Sequence, residues 1–144
     1  MPEVSFYVLG SHSAQERLLF VCRLAEKAYR SENYCYVVTE DEQQSRELDD
    51  LLWTFRQGSF IPHQIHTGTL PEPTNVILIG QPPAPPGWQH TLINLAGPCP
   101  ESFAQADRIL EVVDENATIK AAGRLRYRQY QQAGLAISTH KMSE

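Results

Sequence analysis

Residues 4–39 read VSFYVLGSHSAQERLLFVCRLAEKAYRSENYCYVVT, and the order of hydrophobic periods in this stretch decides the fold. Val4–Leu9 is rich in β-branched and aromatic residues and reads as a strand. Gly10–Ser13 is a loop in which Ser13 can cap a helix, with Glu16 at the capping-box position. From Gln15 to Arg30, Leu18, Leu19, Val21, Cys22, Ala25 and Tyr29 supply one apolar side at helical spacing. Tyr34–Thr39 then returns to strand chemistry. A helix between two short strands is the unit of a parallel sheet, because parallel neighbours need a crossover that brings the chain back to the same end.

The rest of the chain extends that unit. Asp41–Phe55 reads as a second helix, with Asp41 and Glu42 in the first turn, where the helix dipole favours acids. Leu48, Leu51, Leu52 and Phe55 form its apolar stripe. Gly58–Pro62 is extended, and residues 63–74 read as a loop. Val76–Ile79, Thr91–Leu95 and Arg108–Val113 are strand-sized apolar runs of the kind buried on both faces. Four prolines between Gln81 and Gly87 exclude regular helix or central strand there. The sequence therefore predicts an α/β fold, a Rossmann-like three-layer sandwich around a largely parallel twisted sheet. A single domain is expected over residues 1–144, with the tail after about residue 139 frayed.

Charge is distributed unevenly. Residues 1–115 hold 7 lysines and arginines against 16 carboxylates, whereas residues 116–144 hold 5 against 1. The span Asn116–Ser143 contains no acid at all. Such asymmetry in a small chain points to a site for something anionic. The net charge of −5 argues against a general DNA-coating protein. Apolar runs are strand-sized and nothing resembles a signal peptide, so the expectation is a soluble, cytoplasmic protein with no membrane contact. Cys22, Cys35 and Cys99 are odd in number, lack C-x-x-C spacing and read as inert free thiols.

The acid-free span opens with NATIKAAGRLRYRQYQQAG, residues 116–134, which reads as a helix capped by Asn116 and stopped at Ala133-Gly134. Helical spacing places Ile119, Ala122, Leu125, Tyr130 and Ala133 on an inner arc. Lys120, Arg124 and Arg128 follow one another at i, i+4 on the outer side, with Tyr127 and Gln131 beside them. Arg126 falls within the apolar arc and reads as a buried, paired structural arginine.

A search for chemistry is mostly negative. The first strand-to-helix turn has one glycine and matches neither G-x-G-x-x-G nor G-x-x-x-x-G-K-[ST], so the fold has no nucleotide-binding glycine motif. Ser11, His12 and Ser13 are better explained by helix capping than by a nucleophile and its base. His63 and His66 read as solvated loop residues, since no cysteine or acid cluster accompanies them. No catalytic residue, metal site or cofactor is expected. One further stretch is notable: residues 51–62, LLWTFRQGSFIP, gather Trp53, Phe55, Phe60, Ile61 and Pro62. Trp53 lies off the apolar stripe of its helix, a placement that suits either a protein contact or a core tryptophan covering one end of the sheet.

Two segments together resemble a known family. Residues 48–63, LDDLLWTFRQGSFIPH, resemble the L-D-x-x-L-W … S-F-x-P-H signature of the chi subunit of the bacterial DNA polymerase III clamp-loader complex. Residues 124–134, RLRYRQYQQAG, resemble that family's R-x-R-Y-[KR]-x-Y-x-x-A-G. The resemblance implies a non-catalytic adaptor in DNA replication. One face would bind the acidic C-terminal tail of single-stranded-DNA-binding protein, through Arg124, Tyr127, Arg128, Tyr130 and Gly134 with Lys120. The other would bind the psi subunit through Trp53, Phe55, Phe60, Ile61 and Pro62, a surface that a repair helicase uses in some relatives. Contact with DNA would be indirect. Two alternatives compete: a small nucleotide- or phosphate-binding α/β enzyme with its anion site on Arg124 and Arg128, and a direct single-stranded DNA binder using the same arginines and tyrosines.

Overall fold

The computed structural model describes residues 2–100 and 103–142. The chain runs β1 (Glu3–Leu9), α1 (Ala14–Arg30), β2 (Tyr36–Val38), α2 (Glu42–Thr54), β3 (His63–Ile65), β4 (Ile77–Gly80) and β5 (Thr91–Asn94). A short 3-10 turn at Phe103–Gln105 leads to β6 (Arg108–Val113), α3 (Ala117–Gln132) and β7 (Ala136–Met142). All seven strands join one parallel sheet in the order β3-β4-β2-β5-β6-β1-β7. The expected α/β architecture is therefore present, and the sheet is parallel throughout.

Strand alternation divides the core in two. On one face α1 and α2 pack Leu18, Val21, Cys22, Leu48 and Leu52 against Leu9, Val37, Ile77, Ile79 and Ile93. On the other, α3 and the loop carrying Trp88 cover Val4, Phe6, Tyr36, Leu78 and Ile109. Trp88 Nε1 donates to the Val76 carbonyl at 3.0 Å, which satisfies the indole while its ring fills this second core. Two helices start on the caps read from sequence, Ser13 and Asn116, whereas Asp41, read as a first-turn acid, is itself the cap of α2. Ser13 accepts from the Glu16 N–H, Asp41 from that of Gln44, and Asn116 from those of Thr118 and Ile119. Ser11 Oγ accepts from the Ser13 N–H at 2.9 Å, so both serines serve the turn into α1. Burial pushes the Cys22 and Cys35 thiols up to about 12, in keeping with unreactive core cysteines.

Two strands differ from expectation. β3 lies within residues read as a loop, and β7 continues to Met142, through the tail expected to fray. Both are edge strands with little apolar alternation, so neither announces itself locally. β7 is ordered by pairing along its whole length with β1, from Glu3↔Ala136 to Leu9↔Met142.

A polar network fastens α3 to the sheet. Glu111 of β6 is wholly buried and receives the Arg126 Nε–H at 2.9 Å, the Tyr130 hydroxyl at 2.6 Å and the Asn94 amide at 3.0 Å. Arg126 also donates to the Gly97 carbonyl at 2.7 Å. Burial pushes the Glu111 carboxyl upward, against the Arg126 charge and three hydrogen bonds that favour the carboxylate. Close approach of α3 depends on Gly123, where a Cβ would meet Val113 Cγ1 at 2.8 Å. Leu125, placed on the inner arc by spacing, is instead 60% exposed. The inward positions belong to Gly123, Arg126 and Tyr130, because the buried Glu111 must be met by hydrogen-bond donors. Under α1, Arg17 reaches the carboxyl ends of two strands, donating to the carbonyls of Val112 at 2.9 Å and Leu95 at 3.4 Å. That end of an open α/β sheet is where ligands commonly sit, and here an arginine side chain fills part of it.

Candidate functional site

The outer turns of α3 and the neighbouring strands form an open pocket of about 210 Å³. Its floor is hydrocarbon from three strands: Phe6 and Val8 of β1, Val113 of β6 and the side chain of Thr139 on β7. Its other wall is α3, through Lys120, Gly123, Arg124 and Tyr127. Gly123 lets the helix lie close against Val113, and Tyr127 is held half-buried with its ring 5.4 Å from that of Phe6. The rim carries two cations. Lys120 Nζ donates to Glu115 Oε2 at 2.9 Å, and this hydrogen bond and charge hold the Glu115 carboxyl below the usual range. Arg124 is exposed and, among the described residues, makes no ion pair. An apolar floor beneath an unpaired guanidinium suits a ligand with a hydrophobic end and a negative charge next to it.

The structure thus brings Lys120, Arg124 and Tyr127 together and separates them from the other three residues expected beside them. Arg128 is exposed one turn further on, outside the pocket lining. Tyr130 is fully buried, with its hydroxyl committed to Glu111, so its ring is not available to a ligand. Gly134 ends α3: at φ 81° it occupies the left-handed position of a helix stop, donating to the Gln131 carbonyl at 3.0 Å. Leu135 completes the stop by donating to the Tyr130 carbonyl at 3.1 Å. The strand residues Phe6, Val8, Val113 and Thr139 escaped the sequence reading, because nothing local marks four positions that meet only when the sheet assembles.

The second candidate surface lies near the opposite edge, at the end of α2. Trp53 is 56% exposed and Phe60 83% exposed, and their rings meet edge to face at 6.4 Å between centroids. Behind them, the His63 ring lies 4.6 Å from that of Trp53. The His63 side chain is inaccessible, with Nε2 3.3 Å from Asp49 Oδ1 and Nδ1 2.7 Å from the Ile61 carbonyl oxygen. His63 is therefore a packed support for Trp53 and not a solvated loop histidine. Ile61 is buried and belongs to the core, Phe55 is half-buried against that core, and Pro62 is exposed.

The turn that presents Phe60 is held by Glu26 of α1. Its carboxylate accepts from the Ser59 hydroxyl at 2.5 Å and pairs with Arg56 at 3.0 Å and Arg30 at 3.4 Å. Glu26 follows Cys22 by four residues, so a carboxylate on the apolar side of α1 was the available signal for this role.

Comparison with known proteins adds a third line. The family model described as "DNA polymerase III chi subunit, HolC" matches residues 1–138. The DNA polymerase III subunit chi of Pseudomonas aeruginosa is 36% identical over 142 residues, which cover 99% of this chain and 98% of that protein. The subunit chi of Escherichia coli is 28% identical over 146 residues, covering 96% and 97%. That of Haemophilus influenzae is 26% identical over 137 residues, covering 95% of each. Among solved structures, the crystal structure of T4 UvsW matches with a TM-score of 0.69 at 10% identity. The match covers 99% of this chain and 41% of that one, a likeness of fold alone.

Proposed function

Because the chain belongs to the DNA polymerase III chi-subunit family and is thereby a replication accessory subunit, we propose that it acts as a non-catalytic adaptor with two partners. The first partner is the acidic C-terminal tail of single-stranded-DNA-binding protein. The observation that carries this reading is the apolar-floored pocket under α3 with Arg124 on its rim. A terminal phenylalanine would bury its ring against Phe6, Val8 and Val113, a gain of about 2–3 kcal/mol. Its α-carboxylate and the acids before it would meet Arg124 and Lys120. Micromolar affinity, about −8 kcal/mol, is the scale expected. The chain's net charge of −5 would disfavour bare DNA while this local positive patch draws in the tail.

The second partner is the psi subunit, or a helicase using the same face, docking on Trp53 and Phe60. Two large exposed rings in mutual contact, backed by His63 and a turn held by Glu26, have the character of an interface hot spot.

Titration of the full chain with a short acidic peptide ending in phenylalanine, and with the same peptide lacking that residue, tests the first partner. Binding that needs both the phenylalanine and Arg124 supports the tail-docking role. Equal affinity of wild type and Arg124→Ala, or no binding to either peptide, sinks it. Saturable binding of ATP, NAD or an oligonucleotide in place of the peptide would favour the competing readings.

A further inference from the structure

Among the described residues nothing pairs with the outer edge of β7. That edge is seven residues long, and all but Ile137 are exposed. Alternate residues of an edge strand turn their N–H and C=O groups away from the sheet. Successive side chains also face opposite ways. Thr139 lines the pocket under α3, whereas Met142, three residues on, borders a second open pocket on the α1 face. This second pocket, of about 360 Å³, is walled by Leu19, Phe20 and Arg23 of α1, with Glu16 its one carboxylate. An edge strand flanked by a pocket on each face fits strand addition, in which main-chain bonds run along the edge and alternate side chains enter different sites.

We propose, resting on the tail-binding reading of the α3 pocket, that an acidic peptide ending in phenylalanine docks as an eighth, antiparallel strand on β7. Its second subsite is the pocket of Leu19, Phe20, Arg23 and Met142. The two pockets set the direction. The last side chain sits at the level of Thr139, and the α1-face pocket lies toward the carboxyl end of β7, where Leu9 pairs with Met142. Earlier peptide residues reach that pocket only by running back along β7, so peptide and strand point oppositely. Three residues of extended chain span roughly 10 Å. That odd spacing puts the terminal side chain and the one three before it on opposite faces, as Thr139 and Met142 are.

Charge selects the occupant. Lys141 lies on the edge itself, Arg23 is exposed at the second pocket, and Lys120 and Arg124 rim the first. A peptide carboxylate meets Arg23, and an apolar side chain meets Leu19, Phe20 and Met142. Pairing two copies of β7 would instead gather the cations of both edges.

The test is titration of the full chain with a labelled acidic hexapeptide ending in phenylalanine, and with forms N-methylated at each successive amide. Affinity should fall about tenfold at alternate amides, where a main-chain bond to β7 is lost, and by less than about twofold between them. Arg23→Glu and Met142→Glu should each weaken the hexapeptide about tenfold while leaving the terminal dipeptide unchanged. Equal affinity for all N-methylated forms, with the phenylalanine still required, overturns strand addition and leaves the tail reading standing. Absence of any phenylalanine-dependent binding removes both. A dimer of the chain that the hexapeptide does not dissolve assigns the edge to a second copy and overturns the proposal.

Discussion

Near the β7 edge of the sheet the exposed groups are cations around an apolar pocket, whereas near the β3 edge they are two aromatic rings in contact. The supports differ in the same sense. α3 is fastened through a buried carboxylate in the sheet, and the Phe60 turn through a carboxylate on a helix. In each case a buried acid places the exposed groups. The difference teaches what each edge can recognise. A charged rim over a small pocket reads a short motif with a defined end, while a bare aromatic pair requires a partner surface large enough to cover it.

The strongest way to break this comparison is to remove the support of one edge only. Glu111→Ala leaves Arg126 buried and unpaired, and should cost about 3–5 kcal/mol in denaturant unfolding. Peptide binding near the β7 edge should be lost under conditions where the β3 edge still binds its partner. Next in size, Phe60→Ala should weaken binding of the second partner by about 2 kcal/mol or more in calorimetry and leave the acidic peptide unaffected. Arg124→Ala should do the reverse, weakening the peptide by about 1.5–2 kcal/mol with no change in unfolding midpoint. Loss of both activities in either surface variant would refute the independence of the two edges.

Salt sharpens the comparison further. Raising ionic strength to about 1 M shortens the screening length to roughly 3 Å, so peptide affinity should fall while the aromatic contact holds. The smallest effect is expected from Glu115→Gln, which releases Lys120 and should strengthen the peptide by less than about threefold. Lys120 depresses the Glu115 pKa, so their pairing operates above the ordinary glutamate range and is lost as pH falls below it.

Much of this was legible in the chain. The caps at Ser13 and Asn116, the buried paired character of Arg126 and the placement of Trp53 off the apolar stripe of its helix each follow from local pattern. Leu125 shows where pattern stops. Helical spacing assigns an apolar arc, yet which residues turn inward depends on what the sheet presents, and here it presents Glu111. His63 likewise became a support only because Trp53 folds over it.

By itself the sequence determined the α/β class, the helix limits and the concentration of positive charge after residue 115, because periodicity, capping and charge are properties of neighbours along the chain. Only the tertiary structure decided that β7 forms the sheet edge and that Phe6, Val8, Val113 and Thr139 share one floor. It alone paired Arg126 with Glu111, and left Arg124, two residues away, without a partner among the described residues. Those outcomes depend on which strands lie side by side, and parallel pairing joins segments as far apart as β1 and β7, whose register no local signal carries.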